Sequence, residues 1–206
     1  MTEADEDRWP MPVYRTVGAK LAHAMGVVTL NFNNLEFVCF RLYAHHLERM
    51  SVPLATAWAM YSPLQEGRRG PAIEHMFATA ESDDEVKGHV EYALSGFNTC
   101  QRNRSWLSHG RTSDLPAETM KLSKTNRDDW SRINVLGVSL ADVRRVADEC
   151  FAFWEYGYDI WSYLQGRDLK DRLPAFQAAT SRTTLPERPA LPHSLDPSQI
   201  PRPGSD

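Results

Sequence analysis

The chain has no run approaching the roughly 20 apolar residues that a helix needs to cross a bilayer. Its start, MTEADEDRWP, lacks both the basic n-region and the apolar h-region of a signal peptide. A cytoplasmic protein with no membrane association is therefore expected. Cysteine is scarce: Cys39, Cys100 and Cys150 are odd in number, widely spaced and set in apolar helical patterns, which suits buried reduced thiols better than disulfides. No CxxC or Cys/His framework offers a zinc site. Positive charge is short as well. With 23 Lys and Arg against 27 Asp and Glu the net charge is -4, which argues against bulk attraction to nucleic acid but leaves room for a local basic site. Arg41, Arg68, Arg69, Arg102, Arg104 and Arg111 would supply one if the fold gathers them. There are no internal repeats, and GRRG at 67–70 lacks the Lys-Ser or Lys-Thr that completes a phosphate loop, so it reads as a basic turn.

What is present is helical. At 206 residues the chain is long enough for one domain with tails. No proline interrupts Thr16 to Met50, and Leu21, Met25, Val28, Leu35, Val38, Leu42 and Leu47 recur at near-helical spacing, which predicts a long helix with a possible break near Gly26 or Asn33. Pro53 opens a short helix, PLATAWAMY. QEGRRGP then reads as a loop leading into a third helix, IEHMFATA. An acidic cluster at 81–85 suits the N-terminus of a long helix that runs to Ser108-His109-Gly110. AETMKLS and WSRINVL alternate like strands around TNRDD and predict a small hairpin. Ser139 with Asp142 caps a last long helix carrying Val143, Val146, Cys150, Phe153, Trp154, Ile160, Trp161 and Leu164. The expected fold is mainly α, an up-and-down helical bundle with a small β-hairpin inserted before the last long helix. A flexible acidic N-terminus over 1–12, a bundle over 13–176 and a proline-rich disordered tail over 177–206 complete the expected organisation.

The stretch NRSWLSHG, 103–110, sets an arginine and a histidine five positions apart at a predicted helix end. Five residues turn an ideal helix through about 500°, leaving the two side chains roughly 140° apart. They converge only if the helix ends between them, and Gly110 in a left-handed C-cap conformation would supply that ending. A guanidinium offers a planar fork to phosphate oxygens, and an imidazole exchanges a proton near neutral pH. Together they suit cleavage of a phosphodiester, with Asn103 and Ser105 adding neutral hydrogen-bonding groups.

NRSWLSHG resembles the motif of the HEPN superfamily, helical-bundle proteins many of which are metal-independent ribonucleases. In them an arginine, a polar residue and, after four to six intervening positions in all, a histidine recur. Arg104, Ser105 and His109 fit with four; Arg102, Asn103 and His109 fit with six. CQRNRSWLSHG also resembles a group of uncharacterised bacterial proteins whose helix ends in NRN-x-L-x-H, with Ser105 standing where that group has asparagine. The resemblance implies an RNA substrate, action without a metal or organic cofactor, and a homodimer in which two motifs face each other across the interface. It also implies attack by the ribose 2′-hydroxyl, with His109 shuttling the proton, Arg104 holding the phosphate and Asn103 steering the geometry. Arg102, Ser105 and Arg111 would bind substrate. A toxin or defence ribonuclease with a protein partner or antitoxin fits the same pattern. A non-catalytic module binding a nucleotide or protein in the same cleft is the alternative, and an adaptor recruiting a partner through the proline tail is a third.

Other constellations point elsewhere. His45 and His46 lie about 100° apart on one helix and do not share a metal easily, so one is expected buried and the other solvated. His75 and His89 have no ligand-like spacing. The aromatic residues of the last helix are expected to serve core or dimer packing rather than base stacking.

Overall fold

The computed structural model describes residues 18–113, 119–125 and 132–201, and the N-terminal segment expected to be flexible over 1–12 lies outside them. Helix α1 (Ala19–Arg49) is unbroken. Gly26 faces open space, and a glycine there costs a helix only about 1 kcal/mol. Leu21, Val28, Leu35, Val38 and Leu42 stay buried along the whole helix, and the Asn31 amide donates to the Ala147 carbonyl of a neighbouring helix at 3.0 Å. Those contacts outweigh the two weak points at Gly26 and Asn33.

Helix α2 (Leu54–Tyr61) follows Pro53. Helix α3 (Glu66–Ala80) takes in the stretch expected to be a loop or basic turn, with Pro71 inside it. Arg69 accounts for this: its guanidinium pairs with Glu36, donates from Nε to the Leu64 carbonyl at 3.2 Å and lies 5.3 Å from the Tyr61 ring centre. These contacts hold the first turns of α3 in place, and the amide that Pro71 lacks would have served only Gly67.

Helix α4 (Asp84–His109) starts as the acids predict, with the Asp83 carboxylate accepting from the amides of Glu85 and Val86. Strands β1 (Arg111–Ser113), β2 (Thr119–Thr125) and β3 (Arg132–Ser139) follow, and β2 and β3 form the expected antiparallel hairpin. Helix α5 (Leu140–Asp168) opens on a complete capping box between Ser139 and Asp142. A 3-10 turn (Lys170–Arg172), helix α6 (Ala175–Thr180) and strand β4 (Ser198–Pro201) end the described chain.

The fold is mainly α, as expected. Helices α1 and α5 run parallel, since Asn31 meets Ala147 and, further along both helices, His45 meets Asp168. Helix α4 runs against α5: Glu81, just before α4, meets Arg167 near the end of α5, and Gly96 meets Phe153 further back. Gly96 has no alternative there, because a Cβ would lie 1.9 Å from the Phe153 ring. Phe32 of α1 stacks on Phe97 of α4 at 5.7 Å to close the centre.

The expectation of disorder over 177–206 is corrected for residues 177–201, and 202–206 lie outside the described residues. Within the described residues the tail runs extended along α5 and α4 and then joins the sheet. Arg182 pairs with Asp159, the Tyr92 hydroxyl donates to the Pro189 carbonyl at 2.6 Å, and His193 Nδ1 lies 2.8 Å from Glu149. Leu195 is buried, and β4 pairs antiparallel with β3, giving a four-stranded sheet in the order β1-β2-β3-β4. Proline is admissible in such a strand because β4 lies at the edge.

Both His45 and His46 are buried, where one was expected in solvent. Helix α1 is covered on two sides at this level. His45 Nε2 lies 2.9 Å from Asp168 on α5, and the His46 ring meets Phe77 of α3 edge-on at 4.6 Å.

Candidate functional site

Helix α4 does not stop between Arg104 and His109; it runs through His109. Gly110 has φ -69 and ψ 136, an extended conformation rather than the left-handed one expected. Glycine is needed there for closeness. A Cβ would sit 2.8 Å from the Trp106 carbonyl oxygen and 2.9 Å from Leu122 Cβ, where β2 crosses the helix end.

A continuous helix separates the motif residues by face. Arg104, half-buried, turns toward α1 with its guanidinium 5.5 Å from the Phe32 ring centre. His109 is exposed on the last turn. Seven residues turn an ideal helix through about 700°, so Arg102 and His109 share one stripe within about 20°, roughly 10 Å apart along the axis. Ser105 lies on the same stripe.

Along the part of this stripe that holds Arg102 and Ser105 opens a cleft of about 700 Å³, lined by Gln101, Arg102, Ser105 and Trp106 of α4, Gln65 and Gly67 at the start of α3, Lys124 of β2, and the tail from Ser194 to Pro197, with His109 on the helix beyond it. Arg102 is exposed and donates to Thr99 Oγ1 at 3.2 Å. Lys124 Nζ donates to the Ser105 carbonyl at 2.5 Å and to its hydroxyl at 3.2 Å, and stands 4.8 Å from the Trp106 ring centre. The cleft thus combines two cations with an indole, against one carboxylate at Asp196.

Asn103 points away from the cleft. It is 1% exposed, its amide nitrogen donates to the His193 carbonyl at 2.8 Å, and its amide oxygen accepts from the Leu195 backbone at 2.9 Å. It is the clamp that seats the tail, and through the tail it sets one wall of the cleft. Arg111 is exposed at the start of β1, where its carbonyl accepts from the Ser123 hydroxyl. The six arginines considered for a basic patch do not gather. Arg41 pairs with Glu48 at the opposite end of α1 and Arg69 with Glu36, Arg104 lies on Phe32, and Arg102 alone of the six lines the cleft.

Lys124 and Trp106 were missed from the sequence. Lys124 arrives from the hairpin, 19 residues from its partner Ser105. Trp106 sits inside the motif, where its spacing of three or four from Arg102 and His109 was the available signal.

Elsewhere the polar interior is structural. Arg167 links Glu81 and Asp168, both at 2.6 Å, and Asp168 also meets His45. Burial alone would raise the Asp168 carboxyl, but hydrogen bonds from His45 and Arg167 outweigh it and hold the group well below the usual carboxylate range. Burial opposes and the Arg167 contact wins at Glu81 too, with help from the backbone amides of Asp83 and Ser82. Burial pushes the Cys39 thiol far up, and contact with Cys150 together with burial does the same to Cys100. All three cysteines are buried and unbridged. Among the described residues no three His, Cys, Asp or Glu side chains are grouped to hold a metal ion, and no helix is long and apolar enough to cross a membrane. The chain matches no family model, no curated protein and no solved structure.

Proposed function

We propose that the cleft along α4 binds RNA and cleaves it without a metal, in the manner of HEPN-like ribonucleases, with Arg102 rather than Arg104 as the phosphate-holding arginine. The observation that carries this reading is the continuity of α4, which aligns Arg102 and His109 on one stripe beside a cleft that also holds Lys124 and Trp106. A scissile phosphate lying over this stripe would meet Arg102 and Lys124 on its non-bridging oxygens. A flanking base would stack on Trp106. His109 takes the proton of the ribose 2′-hydroxyl as its oxygen attacks phosphorus. The P–O5′ bond then breaks, leaving a 2′,3′-cyclic phosphate and, once the departing oxygen gains a proton, a 5′-hydroxyl. The two cations offset the charge that builds on the phosphate.

A homodimer in the cytoplasm belongs to this reading. Leu30 and Phe37 of α1 and Phe151 and Tyr158 of α5 are exposed, an amount of apolar surface suited to a second copy. A non-catalytic RNA- or nucleotide-binding module is the second reading, and one observation favours it. Asn103, the residue expected to steer the reaction, is taken up by the tail.

The test is incubation of labelled RNA with the protein in EDTA, beside His109→Ala, Arg102→Ala and Arg104→Ala. Cleavage by wild type that falls about 10²-fold in His109→Ala, and further in Arg102→Ala than in Arg104→Ala, is the expected result. Cleavage that survives His109→Ala, or that EDTA abolishes, rejects the mechanism. RNA bound but uncut selects the binding module.

A further inference from the structure

At the other end of the bundle, where α1 and α5 finish together, lies a second cavity of about 460 Å³. It continues into a narrower one of about 150 Å³, the two sharing Trp161, Gln165, Leu173 and Gln177. Their walls come from α1, the turn after it, the start of α2, α5 and the α6 arm, and none of the residues of the α4 cleft takes part.

Two features of this cavity are unusual for a passive surface hollow. Two lining donors, Arg41 Nε and Trp161 Nε1, are buried with no acceptor in the protein. Buried donors are nearly always satisfied, so each calls for a partner. The Arg41 guanidinium carbon stands 4.7 Å from the Trp161 ring centre, and its Nη2 touches one carboxylate oxygen of Glu48 at 3.3 Å. A guanidinium held between an indole and a single carboxylate oxygen keeps further donors of its planar fork for two-point contact with an oxyanion.

Charge and shape then narrow the ligand. Arg41 and Arg172 border the cavity against the single carboxylate of Glu48, whose second oxygen accepts from Gln165 at 3.2 Å. Arg172 Nη1 donates to the carbonyls of Glu48 and Arg49, at 3.4 and 3.3 Å, long contacts that an anion would replace. Beyond them the narrow extension offers Leu173 and the Tyr158 ring.

We infer that this cavity binds a small organic anion, its oxyanion group held between Arg41, Arg172 and the Trp161 indole N–H and its flat apolar body lying along Leu173 and Tyr158. The oxyanion is a phosphate or a carboxylate, and the site is separate from the proposed RNA cleft.

The test uses the full chain labelled with ¹⁵N at tryptophan, with the Trp161 indole resonance assigned by Trp161→Phe. Phenyl phosphate, benzoate and the neutral benzamide are titrated in turn. The Trp161 signal should shift saturably with phenyl phosphate or benzoate at a Kd below about 1 mM and at least tenfold more weakly with benzamide. Whichever anion binds tighter identifies the head group. Arg41→Gln should weaken that binding at least tenfold. Because losing Arg41 also strands Glu48, Arg172→Gln, at an exposed position, provides a second variant and should weaken it about threefold or more. No saturable shift with either anion overturns the proposal, as does benzamide binding as well as benzoate, or binding unchanged in Arg172→Gln.

Discussion

Gly110 shows how a residue can be required for a reason other than the one its type suggests. A glycine after a helix usually signals a left-handed cap, and asparagine then serves nearly as well. Here the backbone is extended, and the obstacle to a side chain is the Trp106 carbonyl at 2.8 Å and Leu122 at 2.9 Å. Gly110→Ala should therefore cost about 1–3 kcal/mol as overpacking does, and Gly110→Asn should be no better tolerated than alanine. Thermal denaturation of the two variants decides it, since an asparagine that restores stability would support a left-handed cap. The motif residues carry the same lesson. Their identities were readable, but which of them face one another depends on whether α4 ends at Arg104 or at His109, a difference of little more than one helical turn. That end is set by the β2 crossing at Leu122, a contact made from beyond the motif. Asn103 was singled out for chemistry on the strength of its neighbours, whereas its partners, His193 and Leu195, lie 90 and 92 residues away.

At the scale of elements, what the sequence shows well is what local forces decide. The caps at Asp83 and Ser139, the apolar stripes of α1 and α5 and the β2–β3 hairpin are all written within a few residues. The tail is the opposite case. Its prolines and charges give it little apolar surface, which ordinarily means disorder. Its anchors are instead single long-range contacts, Tyr92 to Pro189, Glu149 to His193 and Asn103 to Leu195, each made by a helix that the tail sequence cannot reveal. Proline also lowers the entropy lost on docking, because its φ is already restricted. The tail should then be a structural strap rather than a dispensable appendage. Ending the chain at Thr183 is expected to lower Tm by several degrees and to leave the buried Asn103 amide unsatisfied. Asn103→Ala in the full chain should make the segment from 184 to 197 newly sensitive to limited proteolysis. If truncation leaves Tm unchanged and the intact tail is trimmed as fast in wild type as in Asn103→Ala, the strap is not holding.

For the whole molecule, the buried polar network where α1, α4 and α5 meet makes stability depend on pH in a definite direction. Burial is the main force on His46, assisted by His45 beside it. Together they lower its pKa to about 4 from an ordinary 6.5, against the opposing pull of Glu81 and Asp168. His89, buried against the Tyr156 hydroxyl at 2.8 Å, is lowered too, by burial first and by Arg188 second. A histidine whose folded pKa is depressed costs nothing above about pH 6.5, where both folded and unfolded chains leave it neutral. As pH falls below that value the unfolded chain takes up the proton and the folded one does not, so stability drains away between pH 6.5 and about 4. Asp168 and Glu81 add a second loss at lower pH. Their depressed carboxyls contribute above the unfolded carboxylate range, and that contribution disappears as pH falls through their folded values. Tm measured from pH 8 down to pH 3 should accordingly be flat, then fall from about pH 6.5, then steepen as the carboxylates begin to protonate. His46→Leu keeps an apolar contact with Phe77 while removing the titration, so it should flatten the upper part of the fall and leave the steep acid limb in place. A variant curve parallel to wild type between pH 6.5 and 4 would mean that His46 is protonated in the folded protein, and that Glu81 and Asp168 rather than burial govern it.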